Sequence, residues 1–597
     1  MSEQRERLEA LRESLRMRDL DGFIVPLTDE HGSEYVPAYA RRLEWLTGFT
    51  GSAGTAVVLT AGPAALFVDG RYTLQAAEEV PDSLYEHRDI PADDPIGWIR
   101  IHAQPGARIG FDAKLHPQAW FEKAGRRLAP KGITLVGCRD NPIDILWHDQ
   151  PPPPAAPARA HPLIFSGEES ADKRHRLGEG LAAKGARMAV ITALDSIAWL
   201  FNIRGEDVLH TPVVMAFALL HADGRADLFI APDKVTEEVT RHLGAEVTLH
   251  DYGDFFAHLA ALPADAGPVL ADPATQSVAV FQALAAAGVV IVEGEDPCVL
   301  PKACKNPTEI AGAEAAHLRD GAAVTTFLAW LDKAIGAGET IDELTAAARL
   351  EALRRQQDRF IDLSFDSIVG AGPNGAIVHY RVSEETNRTI EPGTLFLIDS
   401  GGQYLDGTTD ITRTVPVGHV PDEARRHFTL VLKGHIALAR TRFPQGTAGQ
   451  QLDAIARRPL WQEGLDYDHG TGHGVGSYLS VHEGPQRIAK AASMVPLEPG
   501  MILSNEPGYY RPGAYGIRIE NLVLVEPDED GPEGRRLYRF RTLTRAPIDR
   551  RLIVKDMLEE DERRWLNRYH ARVFAELAPL LDEDTRGWLK KMTAPLD

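Results

Sequence analysis

Leu395-Phe-Leu-Ile-Asp-Ser-Gly-Gly-Gln-Tyr-Leu-Asp-Gly-Thr-Thr-Asp-Ile-Thr-Arg-Thr414 reads as an apolar strand, a Gly-rich return and a second strand. Asp399 ends the first strand and Asp410 begins the second, so a hairpin-like return brings both carboxylates to one pocket. A carboxylate at the end of an apolar strand is costly to bury unless it is paired or bound to a cation. Asp406, beside Gly407, fits an ordinary turn role.

Three later segments supply partners for these two acids. His469-Gly-Thr-Gly-His473-Gly carries two histidines four residues apart, but the glycines at 470, 472, 474 and 476 argue against a helix. The zincin logic of two histidines on one helix face therefore does not apply. The same glycines lack dinucleotide-binding spacing and context; they suit backbone passing close to a metal or substrate. Glu506 precedes Pro507-Gly508 at a strand end, and Glu520 falls in an expected strand over residues 517–525. Arg518 would share the face of Glu520, since residues i and i+2 point the same way, and could hold a ligating carboxylate in orientation. The plainer alternative for that pair is a surface ion pair, which contributes little. Taken together, Asp399, Asp410, His473, Glu506 and Glu520 make a set of four hard carboxylates and one imidazole. That set suits two divalent cations about 3.5–4 Å apart with a shared hydroxide between them. Mn²⁺ is the expected ion, and Co²⁺ or Zn²⁺ are compatible with the same ligands.

The bulk of the chain limits the alternatives. At 597 residues it is too long for one core, and its net charge of −22 disfavours nucleic acid and anionic membrane as partners. The basic run Arg535-Arg-Leu-Tyr-Arg-Phe-Arg541 alternates like the solvated face of a strand. The three cysteines form no pair with metal-ligand spacing, and no signal-like or membrane-spanning stretch is visible, which makes a cytoplasmic location the expectation.

Two punctuation points divide the chain. One is the extended Pro151-Pro-Pro-Pro-Ala-Ala-Pro157. The other surrounds Asn306, which can cap a long helix opening at Pro307. The expected domains are 1–155, 156–303 and 304–597. The first two look alike: each opens with an amphipathic helix, near 3–17 and 170–184. Each then runs through an apolar strand, a Trp-Leu element and a strand pair closing on Leu-Phe. Alternation of this kind indicates α/β layers. The third mixes short strands with helices near 311–335, 421–441, 447–463 and 559–581.

Longer motifs surround the five acidic and histidine segments. They include Leu43-Glu-Trp-Leu-Thr-Gly-Phe-Thr-Gly-Ser-Ala-Gly54, Leu194-Asp-Ser-Ile-Ala-Trp-Leu-Phe-Asn-Ile-Arg-Gly205 and Gly372-Pro-Asn-Gly-Ala-Ile-Val-His-Tyr380. Asp406-Gly-Thr-Thr-Asp-Ile-Thr-Arg-Thr414, His469-Gly-Thr-Gly-His-Gly-Val-Gly-Ser477 and Asn505-Glu-Pro-Gly-Tyr-Tyr510 complete the set. With these the chain resembles, over nearly its whole length, the long three-domain cytosolic X-prolyl aminopeptidases of the pita-bread metallopeptidase family.

The resemblance implies a multidomain α/β and α+β protein: two creatinase-like N-terminal α/β domains followed by a pita-bread catalytic domain with a C-terminal helical extension. It implies a homodimer and release of the N-terminal residue from peptides with proline second. It also implies two divalent ions per subunit on Asp399, Asp410, His473, Glu506 and Glu520, with Asp410 and Glu520 bridging. Glu506 doubles as proton shuttle, while His379, His469 and His482 contact substrate and stabilise the tetrahedral intermediate. Arg381, after His379-Tyr380, departs from the pattern and bears on the substrate mouth. Two other readings share the pita-bread core: a prolidase restricted to X-Pro dipeptides, and a non-catalytic binding protein. The two N-terminal domains argue against the first, and the unaltered ligand set argues against the second.

Overall fold

The computed structural model describes residues 3–90 and 92–596. The chain divides into two compact units, one formed by the described residues up to Pro162 with Glu168–Val299, the other by Leu163–Gly167 with the described residues from Leu300 onward.

The first unit holds two six-stranded sheets of one topology. In one the strand order is Glu86–Ile90, Ala64–Asp69, Thr55–Leu59, Gly22–Pro26, Arg108–Asp112, Thr134–Cys138. In the other it is Val247–His250, Ala226–Ile230, Ala216–His221, Met188–Ile191, Val269–Ala271, Ile291–Glu293. Gly22–Pro26 and Met188–Ile191 occupy equivalent places, each antiparallel to one neighbour and parallel to the other. The likeness read from the sequence is thus a shared topology. Period-2 alternation splits the apolar side chains of the first sheet between two cores: Phe23, Val25, Ala56 and Val58 face one side, Ile24, Val57, Leu59 and Phe67 the other. The two halves of this unit are bonded to each other. His31 meets the Thr192 carbonyl through Nδ1 and the Tyr252 hydroxyl through Nε2, each at 2.8 Å. The three cysteines are free thiols.

The long helix of the second unit is Pro307–Gly336. Asn306 accepts hydrogen bonds from the Thr308 and Glu309 amides, and the Glu309 side chain returns one from the Asn306 amide, closing a capping box. Two sheets follow. One has the order Ile368–Ala371, Thr394–Ser400, Ile411–Val417; the other runs Arg442–Pro444, Leu537–Thr542, Asn521–Pro527, Ile502–Asn505, Gly472–Gly474, Glu483–Ile488. The return expected between Asp399 and Asp410 is there: Ser400 pairs with Ile411 and Asp399 with Thr412.

Two expectations need correction. The single strand over 517–525 is broken into Tyr515–Arg518 and Asn521–Pro527. The chain changes sheets at this point: Ile519 N–H donates to the Pro507 carbonyl and Glu520 N–H to the Thr412 carbonyl. The C-terminal helix stops at Leu577, and a further helix, Glu583–Met592, capped by Asp582, follows it. The basic run lies on the strand Leu537–Thr542 as expected. Tyr538 and Phe540 point inward, while Arg539 and Arg541 pair outward with Glu526.

The two sheets are stitched together by a buried arginine. Arg413 donates to the carbonyls of Glu520, Pro547 and Ala546, to Asn521 Oδ1 and to the Tyr569 hydroxyl. Outside them pack the helices Asp422–Ala439 and Gln450–Trp461, which approach each other closely at Gly434. A Cβ on Gly434 would lie 2.0 Å from the Ala456 carbonyl oxygen. Among the described residues, no helix is long and apolar enough to cross a membrane.

Gly434→Ala therefore sets two effects against each other. Helix propensity would favour alanine by up to about 1 kcal/mol. Overpacking costs about 1–3 kcal/mol, and here the obstacle is backbone, which cannot rotate away. The expected net result is a lower midpoint in urea and a lower Tm; an unchanged or raised Tm would show that the helices part without cost.

Candidate metal centre

The sheet junction brings together the acids that lie far apart in sequence. Asp410, His473 and Glu520 each place one ligand atom within 4.8 Å of the other two. His473 Nε2 lies 3.4 Å from Asp410 Oδ2 and 3.5 Å from Glu506 Oε1. Asp399, Asp410 and Glu520 are all buried. Register explains part of this convergence. Asp399 and Thr412 are opposite one another on antiparallel strands, so their side chains share a face, and Asp410 lies two residues before Thr412.

Three of the four acidic side chains, Asp399, Glu506 and Glu520, are held from outside the cluster. Thr412 Oγ1 donates to Glu520 Oε2 at 2.7 Å. Arg518 donates to Asp399 Oδ2 at 2.7 Å and to Thr412 Oγ1 at 3.2 Å. The expected Arg518–Glu520 partnership is replaced: with the strand broken after Arg518, the guanidinium turns to Asp399 while Glu520 takes Thr412. Arg518 still orients a carboxylate of the cluster. Ser504 Oγ donates to Glu506 Oε1 at 3.0 Å and accepts from the His473 amide at 2.9 Å.

His473 Nδ1 donates to the Gly474 carbonyl at 2.9 Å, which leaves Nε2 aimed at Asp410 and Glu506. His482 packs edge-on against it, with ring centroids 4.3 Å apart. His469 Nδ1 donates to the Gly470 carbonyl at 2.7 Å, and its Nε2 takes the Tyr510 hydroxyl at 2.8 Å. Tyr510 in turn accepts from Arg518. Asp399, Arg518, Tyr510 and His469 thus form one hydrogen-bonded chain. His379 is half-buried in the loop after Gly372–Ala376; the adjacent Val378 carbonyl accepts from Arg518 at 3.3 Å. Thr412, Ser504 and Tyr510 were not singled out by sequence reasoning. Tyr510 falls within the Asn505–Tyr510 motif and Thr412 within the Asp406–Thr414 motif, but a threonine opposite an aspartate gives no chemical signal of its own.

The electrostatics ask for positive charge. Burial pushes the Asp399 carboxyl up to about 6; Arg518 opposes this, and Asp410 and Glu506 add to it. Burial, then the charges of Asp410, Asp399 and Glu506, hold Glu520 well above the usual carboxylate range. Burial disfavours a charged His473, but Asp410 and Glu506 outweigh it and push the imidazole up to about 9. One oxygen of Asp399 (Oδ1) and one of Glu520 (Oε1) are buried without a hydrogen-bond partner. Unmatched buried acceptors beside repelling carboxylates are what divalent cations would satisfy, and the donor set of carboxylate oxygens with one imidazole fits them. By contrast His317, His427, His435 and His570 bond to backbone or neutral side chains, and burial lowers all four.

This charge balance predicts opposite effects from one substitution. Without metal, Glu520→Gln removes a carboxyl whose ionisation burial and its acidic neighbours oppose, but keeps the bond from Thr412, so the metal-free protein should gain about 1–3 °C in Tm. The same variant should lose the Tm increase that Mn²⁺ gives the parent. Destabilisation of the metal-free variant, with the Mn²⁺ response intact, would contradict this reading.

Comparison with known proteins accounts for the architecture. Residues 7–141 and 149–309 each match a creatinase/prolidase N-terminal domain. Residues 311–527 match metallopeptidase family M24, and residues 536–596 its C-terminal region. A probable Xaa-Pro aminopeptidase P of Aspergillus fumigatus is 40% identical, over 99% of this chain and 92% of that one. Its namesake from Laccaria bicolor is 40% identical over 99% and 93% of the two chains. Among solved structures, an X-prolyl aminopeptidase from Caenorhabditis elegans, described as a cytosolic enzyme with a di-nuclear active site, matches at a TM-score of 0.95 and 34% identity. That match covers 99% of this chain and 100% of the other. Two creatinase-like domains followed by a pita-bread domain is therefore the fold, as the sequence motifs imply. The chain belongs to metallopeptidase family M24, within its three-domain X-prolyl aminopeptidases.

Proposed function

We propose that this protein releases the N-terminal residue from peptides whose second residue is proline, using two divalent cations held by Asp399, Asp410, His473, Glu506 and Glu520. The observation that carries this reading is the convergence of Asp410, His473 and Glu520 ligand atoms within 4.8 Å. Partnerless oxygens on Asp399 and Glu520 support it. Asp410 and Glu520 would be the pair shared between the two ions, as the family resemblance implies. Mn²⁺ is the proposed ion, on the hardness of the carboxylate ligands. When bound, such a pair supplies an activated water for attack on the amide and a Lewis acid for its carbonyl oxygen.

The chain's own groups do the rest. Ser504 fixes Oε1 of Glu506, which leaves Oε2 to take the proton of the attacking water and deliver it to the proline nitrogen. His379 and His482 stand as substrate-facing groups that stabilise the developing oxyanion. Both ring nitrogens of His469 are engaged, so its influence on substrate runs through Tyr510 as well as through its ring. Arg381, paired at 2.8 Å with Asp366, borders the same loop. A dedicated site for X-Pro bonds has a physical rationale: the amide has no N–H, and the ring restricts the backbone on both sides of it.

The division at 1–155, 156–303 and 304–597 is the proposed domain plan. A cytoplasmic homodimer is the proposed assembly, in keeping with the Caenorhabditis elegans protein described as cytosolic and with the family resemblance.

With Mn²⁺ present, X-Pro-peptides should lose their first residue while the corresponding X-Ala peptides stay essentially intact. Glu506→Gln should lower kcat by about 10²–10⁴-fold. Parent-like turnover of that variant would remove Glu506 from the mechanism. Cleavage of X-Pro dipeptides but not of longer X-Pro peptides would assign a prolidase instead.

A further inference from the structure

Glu343 is a buried acid that takes no part in the proposed chemistry. It opens the helix Glu343–Arg354, whose N-terminus is capped by Asp342. Its side chain is fully enclosed. Oε1 accepts from the Ala371 amide at 2.7 Å and from Asn374 Nδ2 at 3.0 Å. Oε2 lies 3.0 Å from Asn374 Nδ2, the Tyr380 hydroxyl and the Arg388 amide. These donors span one loop. Ala371 and Arg388 flank it, Asn374 and Tyr380 lie inside it, and His379 sits between them in sequence.

A carboxylate buried without a cation is costly unless donors surround it, and here they do. Each oxygen accepts from a backbone amide, Oε1 from Ala371 and Oε2 from Arg388, an arrangement that suits a carboxylate acceptor, while the Tyr380 hydroxyl also reaches the Thr386 carbonyl at 2.9 Å. The return contact is backbone: Glu343 N–H donates to the Arg388 carbonyl at 3.1 Å, so this flank of the loop is held twice. On its far side the loop rests against the strand Tyr515–Arg518. A Cβ on Gly516 would lie 1.6 Å from the Gly375 carbonyl oxygen, so the loop has no room to move closer. From there the path to the metal centre is short: Arg518 donates to the Val378 carbonyl at 3.3 Å and to Asp399 Oδ2 at 2.7 Å.

We propose that Glu343 is the positioning residue for His379, its carboxylate fixing the loop from Ala371 to Arg388 so that the imidazole faces substrate at the Asp399–Arg518 edge of the metal centre. The inference rests on the proposed function, because it takes His379 to be a substrate-facing group. Glu343 itself touches neither substrate nor metal ligands; it acts through the loop.

The test is Glu343→Gln in the full chain, loaded with Mn²⁺ and assayed on an X-Pro tripeptide. Glutamine keeps the volume but turns an N–H₂ toward donors on one side of the ring of contacts. The expected result is a fall of about 10²-fold in kcat/KM, carried mainly by kcat, with metal content unchanged. Adding His379→Ala to Glu343→Gln should cost almost nothing beyond His379→Ala alone, since both remove the same contribution. A kcat/KM within threefold of the parent (about 0.6 kcal/mol,), or losses that multiply in the double variant, would overturn the inference. Should Glu343→Gln fail to fold, Tyr380→Phe removes one donor; it should cost about 5-fold, and the loss should vanish in a His379→Ala background. Multiplying losses there would overturn it equally. A parent protein inactive on X-Pro peptides would overturn the functional reading, and this inference with it, before any variant is compared.

Discussion

Mutual repulsion among buried carboxylates is the constraint on which the second unit depends. Asp399, Asp410 and Glu520 are withdrawn from water at the junction of two sheets, and Glu506 adds a fourth carboxyl to the same field. An isolated pair of such acids would protonate rather than ionise together. Positive charge removes the conflict. In the metal-free chain Arg518 and a protonated His473 supply part of it, and two divalent cations would supply the remainder. The cluster is thus a destabilised element of the fold held ready for metal, and the surrounding structure has to be rigid enough to keep it from opening.

That rigidity comes from groups outside the acidic cluster. Arg413 ties the three-stranded sheet to the Glu520–Asn521 turn and to the C-terminal segment around Ala546 and Tyr569. Thr412 and Thr414 bond across to Glu520 and Arg518. On the other side, buried Arg457 donates to the carbonyls of Tyr467 and His469, while its partner Asp453 accepts from Thr471. The Thr471 carbonyl receives the Glu506 amide at 2.8 Å, so a helix remote from the acids fixes the backbone of the proposed proton carrier. Support of this kind orients ligating groups before any metal arrives.

Much of the site was legible in the sequence because its residues are chemically conspicuous. Asp399 closing an apolar strand, two histidines in a glycine-rich run and Glu506 before Pro-Gly each stand out alone, and the long motifs around them name the family. The repeated topology of the first unit was legible as well, from matching helix, strand and Trp-Leu elements, although the mixed parallel and antiparallel pairing was not. What escaped was geometry set by tertiary contact. The i, i+2 rule placed Arg518 with Glu520, but the strand breaks between them and the guanidinium goes to Asp399. Thr412 gains its role from lying opposite Asp399 in register, and Glu343 from receiving a loop 28–45 residues further along the chain. Thr412 lies in a family motif but has no chemistry that announces this role, and Glu343 looks like an ordinary acid at a helix start.

The most direct measurement is metal stoichiometry by elemental analysis, on full-length protein purified without chelator and again after equilibration with Mn²⁺. The account predicts saturation at two divalent ions per chain, with Glu520→Gln failing to hold the pair. Saturation at one ion or none in the parent protein would contradict a dinuclear centre built on these five residues.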